Sequence, residues 1–232
     1  MDFDIAGVLL RFLALLPALT LHEFAHAYSA TRCGDPTAAA YGRVTLNPLA
    51  HLDPIGTLMI LFGPIGWAKP VPINPANFRR PTRDIIITSA VGPLSNLAQG
   101  VVCCLLIRGV MLAGGREAGL IVSRVRDPGV LGVVLGVLAF MVLINFCLCI
   151  FNLIPLGPLD GHHIMEYALP YQQAVRYRAF NHQYGFAVLI GLILLSNFTN
   201  IGIFTYVMYL PAILLGSLLS GAPRWSLTHL IS

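Results

Sequence analysis

The stretch LTLHEFAHAYSA, residues 19–30, sets two histidines and a glutamate into an otherwise apolar N-terminal segment. Hydrophobic residues make up 56% of the chain and charged residues only 10%, and the mean hydropathy is +0.77. A soluble protein is about one quarter charged, so this chain is read as a membrane protein. An ionisable side chain at membrane depth costs about 2.5–3.5 kcal/mol even on a lenient insertion scale. Something must offset that cost at His22, Glu23 and His26.

On a helix of about 3.6 residues per turn, His22 and His26 share one face, one turn apart. Two imidazoles so placed hold one metal ion, and Glu23 between them lies close enough to handle a water on that ion. Nitrogen ligands in a tetrahedral site favour zinc, which lowers the pKa of its water to about 7 and lets a neighbouring carboxylate take the proton. Metal coordination would thus offset the burial of both histidines.

A catalytic zinc takes three protein ligands, and the third must come from elsewhere in the chain. Of the ten acidic residues, Asp160 stands out in FNLIPLGPLDGHH, in a bend set by Pro155, Gly157, Pro158 and Gly161. His162, His163, Glu166, and His51 with Asp53 are rivals that chemistry alone leaves open.

Apolar runs of about 20 residues span a bilayer, and the candidates are 5–30, 85–113, 130–156 and 200–220, with a shorter run at 184–197 that would form a tight hairpin with the last across NFTN. The expected fold is an all-α polytopic membrane protein of about five transmembrane helices. Between the first two spans lies a Pro/Gly-rich stretch, 34–83, expected to dip into the membrane as a loop or a short β segment, since irregular backbone there must be shielded by protein or line a watery cavity. The net charge of +4 comes from scattered basic residues without a basic tract. They read as topology determinants, not as a nucleic-acid surface. The five cysteines match no zinc spacing and read as small apolar residues. The N-terminal run lacks a basic start and reads as a retained span. Composition breaks nowhere, so residues 1–232 are expected to form one domain, with a catalytic core over about 5–165 and C-terminal helices over about 184–220.

HEFAH in the first span, GPLSN at 92–96 in the next, and NLIPLGPLDG at 152–161 after the one following resemble the site-2 protease family of intramembrane zinc metalloproteases. GRVTLNPLAHLDPIGT and GWAKPVPINP are similar to its compact prokaryotic members, without an added PDZ or CBS domain. The resemblance implies one Zn2+ per chain on His22, His26 and Asp160, with Glu23 as the catalytic carboxylate and auxiliary roles for Asn96 and Asn152. Physically, Asn152 would donate to a substrate carbonyl or its oxyanion. Asn96 would hold a neighbouring backbone or a substrate amide, or make an interhelical hydrogen bond. Asn145 matches no motif and is left structural.

The expected function is hydrolysis of peptide bonds in membrane-embedded substrates, in regulated intramembrane proteolysis or in clearing remnant membrane peptides. The partners implied are a transmembrane or membrane-associated peptide and the lipid bilayer, in a prokaryotic plasma membrane. The segment 41–46, YGRVTL, would take an unwound substrate as an added strand. The alternative from another class is a zinc transporter or sensor, which would use the histidines without Glu23; its mark, a His-rich loop, is missing among seven scattered histidines.

Overall fold

The computed structural model describes residues 5–62, 66–123, 129–198 and 202–222. Its first helix, α1 (Ile5–Cys33), carries HEFAH in its second half. The Pro/Gly-rich stretch follows, with the short helices α2 (Thr37–Ala40) and α3 (Pro54–Phe62). Then come α4 (Pro81–Ser123), α5 (Val130–Asn152), α6 (Asp160–Ala168), α7 (Tyr171–Phe180), α8 (Phe186–Phe198) and α9 (Leu210–Ser220). A π-helical turn, Asn181–Gly185, joins α7 to α8 without a break.

Among the described residues, three helices are long and apolar enough to cross a membrane: Pro81–Gly114, Val130–Asn152 and Tyr171–Ser196. These three are among the about five spans expected from the sequence. The expected short run at 184–197 is the second half of the Tyr171–Ser196 helix, while the helix Thr205–Ser220 is shorter than a span requires. The hairpin turn expected across 197–200 lies partly outside the described residues. α1 has the length, 29 residues, with Arg11, His22, Glu23 and His26 along it.

The core lies where α4 meets α5. Cys103, Cys104 and Ile107 pack on Leu135, Ala139, Phe140, Val142, Leu143 and Phe146, with Ala14 of α1 and Ala212 and Ile213 of α9 closing the cluster. Small residues govern how near the helices come, since close packing rather than the hydrophobic effect drives association in lipid. At Gly100 an added Cβ would lie 2.4 Å from the Phe146 ring, so only glycine admits that ring. The outward faces carry exposed Leu105, Leu106, Leu112, Val130, Val133 and Phe186. Such apolar area is a liability in water and neutral against acyl chains.

Among the described residues of 34–80 outside α2 and α3 the backbone is irregular, and buried side chains satisfy part of it. The fully buried Asp35 accepts from the Thr37 amide (3.0 Å) and hydroxyl (2.5 Å), the Asn74 amide (2.7 Å) and Asn77 Nδ2 (2.8 Å). Arg43, 4% exposed, donates to the carbonyls of Lys69 (2.5 Å) and Pro70 (2.9 Å). His51 bonds the Thr45 carbonyl at 2.8 Å, and Asp53 Oδ1 accepts from the Gly56 amide at 2.8 Å in the first turn of α3. α3 is nine residues long, about 13 Å, too short to cross. The expected β segment is reduced to one bridge, Leu52 with Ala68; residues 41–46 form turns and bends, so no edge strand is offered there.

Burial pushes the Asp35 carboxyl up, but the hydrogen bonds from Asn77, Thr37 and Asn74 outweigh it and hold the pKa below 3.8. A depressed folded-state pKa contributes stability above the unfolded value, lost as pH falls through the folded one. Asp35→Asn is expected to cost about 1.5–3 kcal/mol at neutral pH. That deficit should narrow as pH drops below 3.8, read by thermal unfolding of the detergent-solubilised chain beside wild type.

Candidate metal centre

His22 and His26 project from one face of α1 toward α4, both buried. Their Nε2 atoms lie 3.0 Å apart. The Asp160 carboxylate meets them from the first residue of α6, with Oδ2 3.3 Å from His22 Nε2 and Oδ1 3.3 Å from His26 Nε2. Residues 138 positions apart in the chain thus converge on one point.

The ring tautomers follow from the other side of each imidazole. Asn96 Nδ2 donates to the Ala18 carbonyl (3.1 Å) and to Asn145 Oδ1 (2.8 Å), which leaves Asn96 Oδ1 as the acceptor facing His22 Nδ1 at 2.6 Å. Asn145 is oriented in turn by its donation to the Met141 carbonyl at 2.9 Å. His26 Nδ1 faces the Thr88 carbonyl at 2.7 Å. Both Nδ1 atoms therefore carry a proton, and in the neutral rings both Nε2 atoms would present lone pairs. Two lone pairs 3.0 Å apart, beside a carboxylate, repel one another unless a cation sits among them.

Two glycines make this convergence sterically possible. A Cβ at Gly92 would lie 2.2 Å from His26 Nε2 and 2.8 Å from His22 Cε1, so α4 reaches the imidazoles only without a side chain there. A Cβ at Gly161 would lie 2.3 Å from the Leu153 carbonyl oxygen, so glycine lets the start of α6 fold back on the end of α5. The bend between them is pinned from the C-terminal part of the chain. Asn181 Oδ1 accepts from the Gly157 amide (2.9 Å), and the Tyr177 hydroxyl donates to the Pro155 carbonyl (2.8 Å).

The donor set fits zinc. With metal–ligand bonds of about 2.0–2.1 Å, the ligand atoms of a tetrahedral site stand about 3.3 Å apart, and the three separations here are 3.0, 3.3 and 3.3 Å. Asp160 Oδ2 is buried and accepts no hydrogen bond, an orphan that an ion would satisfy. The Asn96 and Thr88 contacts are of the kind that orients histidines for a metal.

Glu23 is buried beside the pair and makes no hydrogen bond or ion pair with another described residue; the Arg43 guanidinium acts on it electrostatically. Asn152 closes α5 with Nδ2 on the Leu148 carbonyl (3.0 Å). The rivals for the third position stand elsewhere: His51 and Asp53 in the 34–80 stretch, and His162, His163 and Glu166 in a second cluster. Asn145, read as structural, belongs to the relay that orients His22. The signal that could have found it is the one that singled out Asn96, a buried amide in an apolar helix.

Gly92→Ala is expected to disrupt the centre. Alanine in a helix interior ordinarily gains about 1 kcal/mol over glycine, so loss of bound zinc in this variant, measured by elemental mass spectrometry, would report the clash with His26. Asn96→Leu should lower zinc affinity about 10–100-fold by releasing the His22 ring.

Residues 10–195 match peptidase family M50. Among curated relatives, the chain is 38% identical over 181 residues to a Bacillus subtilis protein named "Putative zinc metalloprotease YwhC", covering 78% of each chain. It is 30% identical over 210 residues to the Mycobacterium tuberculosis "Putative zinc metalloprotease Rip2", covering 88% of this chain and 73% of the relative. No solved structure matches it significantly. With a family match across most of its length and apolar helices around a convergent His/Asp group, the chain belongs to peptidase family M50, the site-2 protease family of membrane zinc metalloproteases.

Proposed function

We propose that one zinc ion per chain is held by His22, His26 and Asp160, that Glu23 is the catalytic carboxylate, and that the substrate is a transmembrane or membrane-associated peptide. The setting is a prokaryotic plasma membrane, and the reaction serves regulated intramembrane proteolysis or clearance of remnant membrane peptides. The 232 residues act as one domain. The observation that carries this reading is the convergence of two Nε2 atoms and an orphaned carboxylate at zinc-ligand spacing, beside a glutamate with no hydrogen bond to another described residue.

Zinc bound there supplies Lewis-acid polarisation of the scissile carbonyl and acidifies the attacking water. Glu23 would take a proton from the attacking water and pass it to the leaving amine, as a carboxylate without a hydrogen bond to another described residue is able to do. Asn96 holds the His22 ring in the ligating tautomer. Asn152 turns off the Leu148 carbonyl to donate to the substrate carbonyl as negative charge develops on it.

A substrate helix hides its carbonyls in its own hydrogen bonds and must open locally before it is cut. A groove of about 360 Å³ lies between α1 and α4, lined on α1 by residues other than His22, Glu23 and His26. Its walls are apolar, from Leu21, Phe24, Tyr28 and Val91, and it contains Gln99, whose buried carboxamide has no hydrogen-bond partner. An amide of that kind pairs with both polar groups of a peptide bond released from its helix.

Glu23→Gln is expected to lower cleavage of a transmembrane reporter by at least about 10²-fold while zinc content stays at wild-type level. Unaffected cleavage in that variant would sink the assignment of Glu23. Asp160→Ala should lose most of its zinc in elemental mass spectrometry of the purified protein; full retention would move the third ligand elsewhere.

A further inference from the structure

The residues that rival Asp160 in the sequence converge instead on one another. Ligand atoms of His162, His163 and Glu166 all lie within 4.8 Å of each other, a second group separate from His22, His26 and Asp160. Both groups draw on α6, from different faces. Asp160 and His162 are two positions apart, about 200° of helix rotation, while His162 and Glu166 are one turn apart on the same side. Asp160 turns to α1, and the second group turns to the cleft beside α7 and the π turn.

The second group is built as an ion site. Glu166 is buried, and Arg178 holds its Oε1 from both Nε and Nη2 at 2.7 Å. That leaves Oε2 pointing at His162 Nε2, 3.5 Å away, close to the roughly 3.3 Å edge between ligands of a tetrahedral zinc. Arg178 fixes the carboxylate as an outer partner fixes a metal ligand. The other ring nitrogen, His162 Nδ1, is buried without a hydrogen-bond partner, so the protein leaves this imidazole incompletely satisfied. The His163 ring stands 4.8 Å from the His162 ring, on the exposed side. A fourth imidazole, His182, lines the same cleft of about 350 Å³ with Gly157, Pro158 and Arg178.

We propose that His162, His163 and Glu166 form a second site for a divalent transition-metal ion of the zinc class, with His182 at its open side. Imidazole nitrogens with one carboxylate oxygen select zinc and its neighbours over magnesium or calcium, which prefer all-oxygen shells. The site is the weaker of the two in this chain, for two reasons on the same residues. Its third ligand must move inward before all three reach bonding distance, whereas the His22 group already has that spacing. The Arg178 charge also opposes a cation beside it. All three ligands lie on α6, and the proposed peptidase chemistry uses none of them.

The test is zinc stoichiometry of the full chain in detergent, equilibrated at a series of chelator-buffered zinc levels and read by elemental mass spectrometry. Wild type is expected to bind one tight equivalent and then a second. His163→Ala, an exposed position, should keep the tight equivalent, which also reports that the variant is folded, and weaken the second at least about ten-fold. His162→Ala should do the same, and Asp160→Asn should lose the tight equivalent and keep the weak one. Saturation of wild type at one equivalent, or a second equivalent that His163→Ala and His162→Ala both leave unchanged, would overturn the proposal.

Discussion

Two imidazole lone pairs and a carboxylate, held about 3 Å apart in an apolar interior, are the constraint on which the rest of this structure depends. Left without a cation, the three donors repel; spread apart, they lose the ion that offsets their burial. The arrangement around them follows. α4 must approach α1 closely enough for the Thr88 carbonyl and the Asn96 amide to meet both Nδ1 atoms, and it does so at a residue without a Cβ. α5 must then present Asn145 to Asn96, or one amide would be buried half-satisfied. Three helices are thereby oriented by one chain of hydrogen bonds that ends on the His22 ring.

The irregular stretch between α1 and α4 solves a related problem by other means. Backbone without helix or ladder leaves carbonyls bare, and proline removes donors that would otherwise compete for them. Arg43 takes the carbonyls of Lys69 and Pro70, His51 takes that of Thr45, and Asp35 gathers the amides of Thr37 and Asn74. A few buried polar side chains thus replace the hydrogen bonds that secondary structure would have supplied. The same clamp brings the positive charge of Arg43 within reach of Glu23, so the loop shapes the electrostatics of the centre as well as covering it.

Local patterns were legible. The apolar runs at 85–113 and 130–156 appear as α4 and α5, and HEFAH lies on one helix face, because a one-turn spacing depends only on helix geometry. The run at 184–197 misled, because Gln172, Arg176 and Arg178 break the apolar pattern of a helix that nevertheless continues unbroken from Tyr171. The β segment misled for the opposite reason: RVTL has strand-forming residues, yet the carbonyl of Thr45 is taken by a side chain and no partner strand pairs with it among the described residues.

Residue types and spacing by themselves determined a helical membrane chain, a histidine pair able to hold zinc, and a shortlist for the third ligand. Tertiary structure decided which member of that shortlist faces the pair. Asp160, His162, His163 and Glu166 fall within seven residues of one another, and their separation depends on how α6 is rotated about its own axis. That rotation is set by Gly161 against the Leu153 carbonyl and by Asn181 and Tyr177 holding the preceding bend. Those contacts span up to 24 positions, and no local pattern links them: a helix phase is fixed by what it packs against, not by its own sequence.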